Sequence, residues 1–334
     1  MTNEQHGTLS GAIPLVDITS VCSGDAVDER LAQQVADACS SIGFLTVTGH
    51  QVPDALLTEM YDASKAFFAL SDEEKDLCNI DGSDGYTGYA GIGRISYSIK
   101  GPPNLNEQFH CNRFDTTYDA LAAGLSPRAA ASQVPNVWPK RPVTFEPAWK
   151  AYYAEMERLA ADMGRLFAAA LAMPSNAFDQ FLDDHISNLD CNWYPPQQAE
   201  PLPGQVRSRT HVDFSLFTIL YQDDAPGGLE VRDRDGTWHA LAKIPGAYVV
   251  NLGDVMNRLT NDRWKATFHR VVNPPPEARH RDRISIPYFV TAAYDSAIDA
   301  FPTCLDNGAS HYAPITAGEY AEQRRSGQRG VTTV

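Results

Sequence analysis

Apolar positions along this chain follow two rhythms, a helical one in the first half and mainly short strand-like runs in the second. Leu31, Val35, Cys39 and Ile42 recur at steps of three and four, one face of a helix beginning near Val27, and Gly43 closes it. After Pro53-Asp54 the stripe resumes through Leu57, Met60, Tyr61, Ser64 and Phe68. Ser71-Asp72-Glu73-Glu74 then carries the capping-box signature of a further turn. The longest stripe, Trp149, Tyr153, Met156, Leu159, Met163 and Phe167, predicts a helix from about Pro147 to Ala172 packed against a sheet. Pro174-Ser175 opens another, with Phe178, Phe181 and Leu182 inward. β-Branched and aromatic runs predict strands at Ile13 to Asp17 and Phe44 to Thr48. Seven more follow: Leu189 to Tyr194, Phe214 to Tyr221, Leu229 to Arg232, Thr237 to Leu241, Ala247 to Leu252, Phe268 to Val272 and Ile284 to Val290. Many short strands at close spacing imply a mainly β fold with flanking helices, an antiparallel double-sheet jelly roll at its core. The mouth of such a roll is where a ligand pocket forms.

The remaining stretches are less patterned. Residues 1 to 11 are polar, aperiodic and expected to be disordered, and residues 116 to 145 form an alanine- and proline-rich connection. Between residues 81 and 115 glycines punctuate Tyr86, Tyr89 and Tyr97. Gly91-Ile92-Gly93 is no dinucleotide fingerprint, because Ser96 stands at its last glycine position.

Composition narrows the function classes. The net charge of −15 argues against a nucleic-acid or anionic-membrane partner, which would select clustered Lys and Arg. No apolar run approaches the ~20 residues of a membrane span. The start has neither the basic nor the apolar region of a signal peptide, and the six cysteines are scattered without a C-x-x-C pair. A cytoplasmic protein with reduced thiols is expected, and its oligomeric state stays open.

Candidate chemistry is concentrated between Thr210 and Phe289. His211 and Asp213 stand two apart at the head of a predicted strand, so their side chains share a face. His269 opens another predicted strand. Two histidines and a carboxylate on one side of a metal leave its other positions open, the facial arrangement of non-heme Fe(II) oxygenases. Zinc with the same ligands and a water is chemically possible too. Arg283 and Ser285, again two apart on a predicted strand, offer a guanidinium fork and a hydroxyl to a carboxylate.

These pieces resemble the Fe(II)/2-oxoglutarate-dependent dioxygenases of the isopenicillin-N-synthase-like family. The matching segments are His211-x-Asp213, Gly227-Gly228-Leu229-Glu230-Val231, Val250-Asn251-Leu252-Gly253-Asp254, Thr260-Asn261, His269-Arg270-Val271 and Arg283-x-Ser285, with Asn192-Trp193-Tyr194-Pro195 upstream. The resemblance implies an N-terminal leader over residues 12–125, a jelly-roll domain over 184–292 and a C-terminal segment over 293–334. It implies Fe(II) on His211, Asp213 and His269, with O2 and 2-oxoglutarate as co-substrates. Arg283, Ser285 and Tyr194 would hold the 2-oxoglutarate C5 carboxylate, and Asn192 would stand near its metal-binding end. Trp193 departs from the commoner Tyr and would face away from both neighbours. The residue 81–115 segment would rim the site, with Tyr89, Phe109 and Asn112 as contacts for a small-molecule substrate. The implied activity is oxidation of an unactivated C–H bond, hydroxylation by default and desaturation or cyclisation by the same machinery, with release of succinate and CO2. An oxidase of the same fold, with Arg283 and Ser285 gripping the substrate's own carboxylate, is the nearest alternative. A non-catalytic binding protein and a zinc hydrolase are the others.

Overall fold

The computed structural model describes residues 7–8, 13–79, 87–94 and 101–328. Tyr86, Ser96 and Tyr97 lie outside the described residues. The strands that build the core are β1 (Leu15–Asp17), β2 (Phe44–Thr48), β3 (Gly88–Ala90), β4 (Glu107–Asn112), β5 (Asn188–Tyr194) and β6 (Ser208–His211). They continue with β7 (Phe217–Gln222), β8 (Leu229–Arg232), β9 (Trp238–Ala240), β10 (Tyr248–Leu252), β11 (His269–Val271) and β12 (Arg283–Val290). The principal helices are α1 (Glu29–Ser41), α2 (Asp54–Phe68), α3 (Phe145–Ala170), α4 (Asp254–Leu259) and α5 (Ala317–Gln328).

A large sheet runs in the order β1-β2-β10-β7-β12-β5-β4-β3, and a smaller one in the order Gly7–Thr8, β9, β8, β11, β6. Pairing is antiparallel apart from β1 with β2 and Gly7–Thr8 with β9. Ile42, Phe44, Leu229, Val231 and Val249, with Leu220 against them, form an apolar cluster contributed by strands of both sheets. This is the expected jelly roll.

Register decides what each face of the large sheet does. Arg283 pairs with Tyr194 and Ser285 with Asn192, and Asn192 in turn pairs with Gln108. Directly opposed residues share a face, so all five point the same way, and their neighbours point the other. That other face is covered by helices. Tyr288 meets Tyr153 of α3 edge-on at 5.1 Å, and Phe109 lies 5.1 Å from Phe67 of α2 and 5.0 Å from Trp149 of α3. Along α3, Trp149, Tyr152, Met156, Leu159, Met163, Leu166 and Phe167 are all fully buried. Each contributes about 1.5–3 kcal/mol by the area it removes from water.

Several expectations shift. The strand predicted from Phe214 begins at Phe217, because residues 212–216 turn the chain from the small sheet to the large one. Residues 107–112, expected as an irregular rim, form the regular strand β4. The connection at 116–145 contains two short helices, Thr117–Ala122 and Pro127–Ser132, capped by the Thr116 and Ser126 hydroxyls. Gly7–Thr8, within the stretch expected to be disordered, pairs with β9.

Candidate active site

His211 closes β6 and His269 opens β11, and the two are register partners across the small sheet. Their rings therefore stand side by side, with centroids 4.2 Å apart. His211 Nδ1 lies 2.7 Å from the Arg209 carbonyl oxygen and His269 Nδ1 lies 3.1 Å from that of Thr267. With each Nδ1–H donating to a carbonyl, both Nε2 lone pairs are left for a metal.

Asp213 reaches the same point from the corner after β6. Its Oδ1 is 3.6 Å from His211 Nε2 and 3.5 Å from His269 Nε2. Its Oδ2 accepts hydrogen bonds from Thr218 Oγ1 at 2.6 Å and Asn251 Nδ2 at 2.8 Å. The corner itself is tied down by the Asp254 amide donating to the Asp213 carbonyl at 2.8 Å. Gly253 is required there, since a Cβ would meet the Ser215 carbonyl oxygen at 2.0 Å. Burial pushes the Asp213 carboxyl up, but His269, His211 and the Thr218 hydroxyl outweigh it and hold the group below the usual carboxylate range. Burial, then the neighbouring His269, pulls the His211 imidazole down. Near neutral pH the site thus offers a carboxylate and a neutral imidazole as ligands. The three donor atoms lie within 4.8 Å of one another. Metal bonds of about 2.1 Å to such donors set them roughly 3 Å apart in a cis arrangement, so the Asp213 oxygen needs to close on each imidazole by only about half an ångström.

On the shared face of β12 and β5, Arg283 is 1% exposed. Its Nη2 donates to Gln222 Oε1 at 3.2 Å, while Nε and Nη1 have no partner among the described residues. Buried N–H groups on a cation are costly to leave unspent, so this guanidinium can receive an anion. Ser285, 4% exposed, and Tyr194, 2% exposed, flank it. The Tyr194 ring centre is 5.1 Å from the Arg283 guanidinium carbon. Asn192 shares the face, its Oδ1 accepting from Asn106 Nδ2 at 2.8 Å. The residues fit a carboxylate-bearing ligand. Trp193 points away as expected, stacking on Phe68 at 5.8 Å.

The expected substrate contacts need correction. Phe109 is 1% exposed and sits in an aromatic cluster with Phe67, Phe145 and Trp149, on the helix side of the sheet. Tyr89 pairs with it on the same side and donates to Glu107 Oε2 at 2.8 Å. Strand alternation puts both residues behind the site rather than in it. Asn112 is on the site face, but its amide is committed to the Val134 carbonyl at 2.8 Å. The residues of β4 that face the site side are Gln108, His110 and Asn112. Gln108 and His110 both bind the buried Asp190 carboxylate, with His110 Nδ1 at 2.5 Å from Oδ1.

Arg207 belongs to none of the motifs that mark the site in the sequence. It is fully buried, four residues ahead of His211 and on the far side of a register shift in β6. Its Nη1 donates to the Pro226 and Gly227 carbonyls at 2.7 and 2.8 Å. Local pattern gives no signal for it, because the loop-like Pro203-Gly204 precedes it and a register shift in β6 follows.

Comparison with known proteins agrees with this geometry. Residues 13–141 match the N-terminal domain of non-haem dioxygenases in morphine synthesis, and residues 184–292 match the 2OG-Fe(II) oxygenase superfamily. The chain belongs to the 2OG-Fe(II) oxygenase superfamily. The oxygenase is 31% identical to a homoarginine-6-hydroxylase, 2-ODD-233, of Oryza sativa subsp. japonica, over 94% of this chain and 96% of that one. It is 32% identical to the 2-oxoglutarate-Fe(II) type oxidoreductase hxnY of Emericella nidulans, over 91% and 87%. Among solved structures it matches a full-length Neurospora crassa protein in complex with alpha-KG and thymine, with a TM-score of 0.80, 28% identity and coverage of 94% and 96%. The protein is thus an Fe(II)- and 2-oxoglutarate-dependent oxygenase that uses O2. Among the described residues no helix is long and apolar enough to cross a membrane.

Proposed function

We propose that His211, Asp213 and His269 hold the Fe(II), that Arg283, Ser285 and Tyr194 grip the 2-oxoglutarate C5 carboxylate, and that Asn192 stands near its metal-binding end. Two observations together carry this reading. One is a converging His/Asp/His set, and the other is a buried arginine with two nitrogens that have no partner among the described residues. When bound, iron and 2-oxoglutarate supply O2 activation coupled to oxidative decarboxylation to succinate and CO2. The chain's own residues do the positioning. The Arg209 and Thr267 carbonyls orient the two imidazoles, and Thr218 and Asn251 fix the Asp213 carboxylate. Arg283 sets where the 2-oxo acid ends.

The primary substrate is a small polar molecule, and the reaction is hydroxylation of one of its C–H bonds. Support comes from the hydrogen-bonding wall of Gln108, His110 and Asp190 on the site face, and from relatives named for homoarginine and crystallised with thymine. A net charge of −15 favours such a substrate over nucleic acid or an anionic membrane. Six free cysteines suit a reducing cytoplasm. The test is anaerobic screening of candidate polar metabolites for a change in the Fe(II)·2-oxoglutarate charge-transfer band, followed by succinate and product assay in air. A metabolite that perturbs the band and yields one hydroxylated product per succinate supports the reading. Turnover that requires no 2-oxoglutarate would instead favour the oxidase alternative.

A further inference from the structure

Building on the reading that Arg283, Ser285 and Tyr194 receive the C5 carboxylate, we propose that Arg207 is a second cation of that cradle. It is a positioning residue, and it sets the preference for a 2-oxo acid with a second carboxylate over one without.

Two guanidiniums approach one phenol ring. The Arg283 carbon lies 5.1 Å and the Arg207 carbon 5.6 Å from the Tyr194 ring centre, and both arginines are at most 1% exposed. The donors of Arg207 are largely spent on backbone: Nη1 on Pro226 and Gly227, Nη2 on the Arg281 carbonyl at 3.3 Å. Carbonyl dipoles solvate a cation without neutralising it, so its charge remains to be balanced. The buried carboxylate nearby is Asp223, 9% exposed, whose oxygens accept from the Ile284 amide at 2.6 Å and the Ala225 amide at 3.1 Å. Asp282 is turned outward, bonding the Trp193 indole at 3.2 Å with its side chain one-third exposed.

The dry end of the cradle therefore holds two cations against one buried carboxylate, among the described residues. It is short of one negative charge, and the C5 carboxylate of 2-oxoglutarate supplies it. Burial, and then the like charge of Arg283, pulls Arg207 down to about 10, a sign that the pair is under-compensated. It stays protonated at neutral pH. Arg207 acts on the ligand through the potential it adds and through the Tyr194 ring it packs against, not by direct contact.

The test compares affinities of the full-length protein, loaded with redox-inert Mn(II), for 2-oxoglutarate and for 2-oxopentanoate, which has a methyl in place of the C5 carboxylate. Arg207→Gln keeps donors for the Pro226 and Gly227 carbonyls but removes the charge, and Arg207→Lys keeps the charge. Calorimetry should show Arg207→Gln losing tenfold or more in 2-oxoglutarate affinity and less than threefold for 2-oxopentanoate. Arg207→Lys should stay within threefold of wild type for both acids. Arg207→Met takes the place of Arg207→Gln if the latter does not fold. Equal losses for both acids would overturn the proposal and leave Arg207 as a tie for the 226–227 turn. So would an unchanged affinity for 2-oxoglutarate, or a lysine variant as weak as the glutamine one. Arg283→Gln separates the two levels of the argument. If it binds 2-oxoglutarate like wild type, the clamp lies elsewhere and the proposal falls with it. If it loses affinity while Arg207→Gln does not, only the role of Arg207 falls.

Discussion

Asp213 divides its work between two oxygens, and that division makes the residue-scale account testable. Oδ2 is held by Thr218 and Asn251 so that Oδ1 faces both imidazoles. Thr218→Val removes one of those holds while leaving the three proposed metal ligands in the sequence, and loss of such an outer partner typically lowers metal affinity 10–100-fold. Competition with a metal chelator should read that drop while the folded far-UV spectrum persists. Arg283→Ala removes the proposed anion-binding group itself. Loss of a buried, charge-assisted carboxylate contact costs about 2–5 kcal/mol, so the 2-oxoglutarate requirement should rise from roughly thirtyfold to several thousandfold. Iron affinity, measured separately, should change far less. His50 gives a pH test away from the site. The Val52 amide donates to its Nδ1 at 3.0 Å, and its Nε2 lies 3.0 Å from the Gly246 carbonyl, a pairing that requires the neutral ring. Burial lowers its pKa from the ordinary value near 6.5. The unfolded chain then binds the proton more readily, so stability is full above about 6.5 and is lost as pH falls through that value. The slope from this group is at most about 1.4 kcal/mol per pH unit. Urea unfolding of wild type and His50→Gln between pH 7.5 and 5 should show a shallower decline in the variant.

At the scale of single elements, strand β4 separates packing from recognition. Phe109 lies on its helix side, so Phe109→Ala should cost about 3–5 kcal/mol of stability through the cavity it leaves. In a folded sample it should leave substrate affinity unchanged. His110→Ala on the opposite side should weaken primary-substrate binding while Fe(II) and 2-oxoglutarate still bind. Thermal midpoints and substrate titrations on the same two variants decide the assignment. The strand is legible in principle, since Phe109 and Cys111 alternate with Gln108, His110 and Asn112. Glycines upstream mask that rhythm, and without it nothing local tells the helix face from the site face. By contrast, Arg283-x-Ser285 is legible as a pair sharing one face because a single uninterrupted strand carries both residues. His211-x-Asp213 converges as expected but for another reason: one residue ends a strand and the other sits on the corner behind it. Such corners depend on contacts like Asp254 to Asp213, made between residues distant in sequence and invisible to local pattern. The helices after Gly253 and Thr316 leave little trace in the sequence because each is short or weakly amphipathic.

For the whole molecule, the two sheets divide the labour of the reaction. The small sheet brings His211 and His269 into register, while the large sheet presents Arg283, Ser285, Tyr194 and Asn192 from paired strands. The proposed metal site and the proposed anion clamp therefore belong to different layers of the jelly roll. Central to this division is the proposal that Fe(II) binds at the His211–Asp213–His269 set and that 2-oxoglutarate chelates it there. The most direct measurement is visible absorption on anaerobic addition of Fe(II) and then 2-oxoglutarate to wild type and to Asp213→Ala. Wild type should develop a 2-oxoglutarate-dependent charge-transfer band, and Asp213→Ala, folded to a similar thermal midpoint, should develop none. A band of full strength in Asp213→Ala, or no band in iron-loaded wild type, would contradict the account.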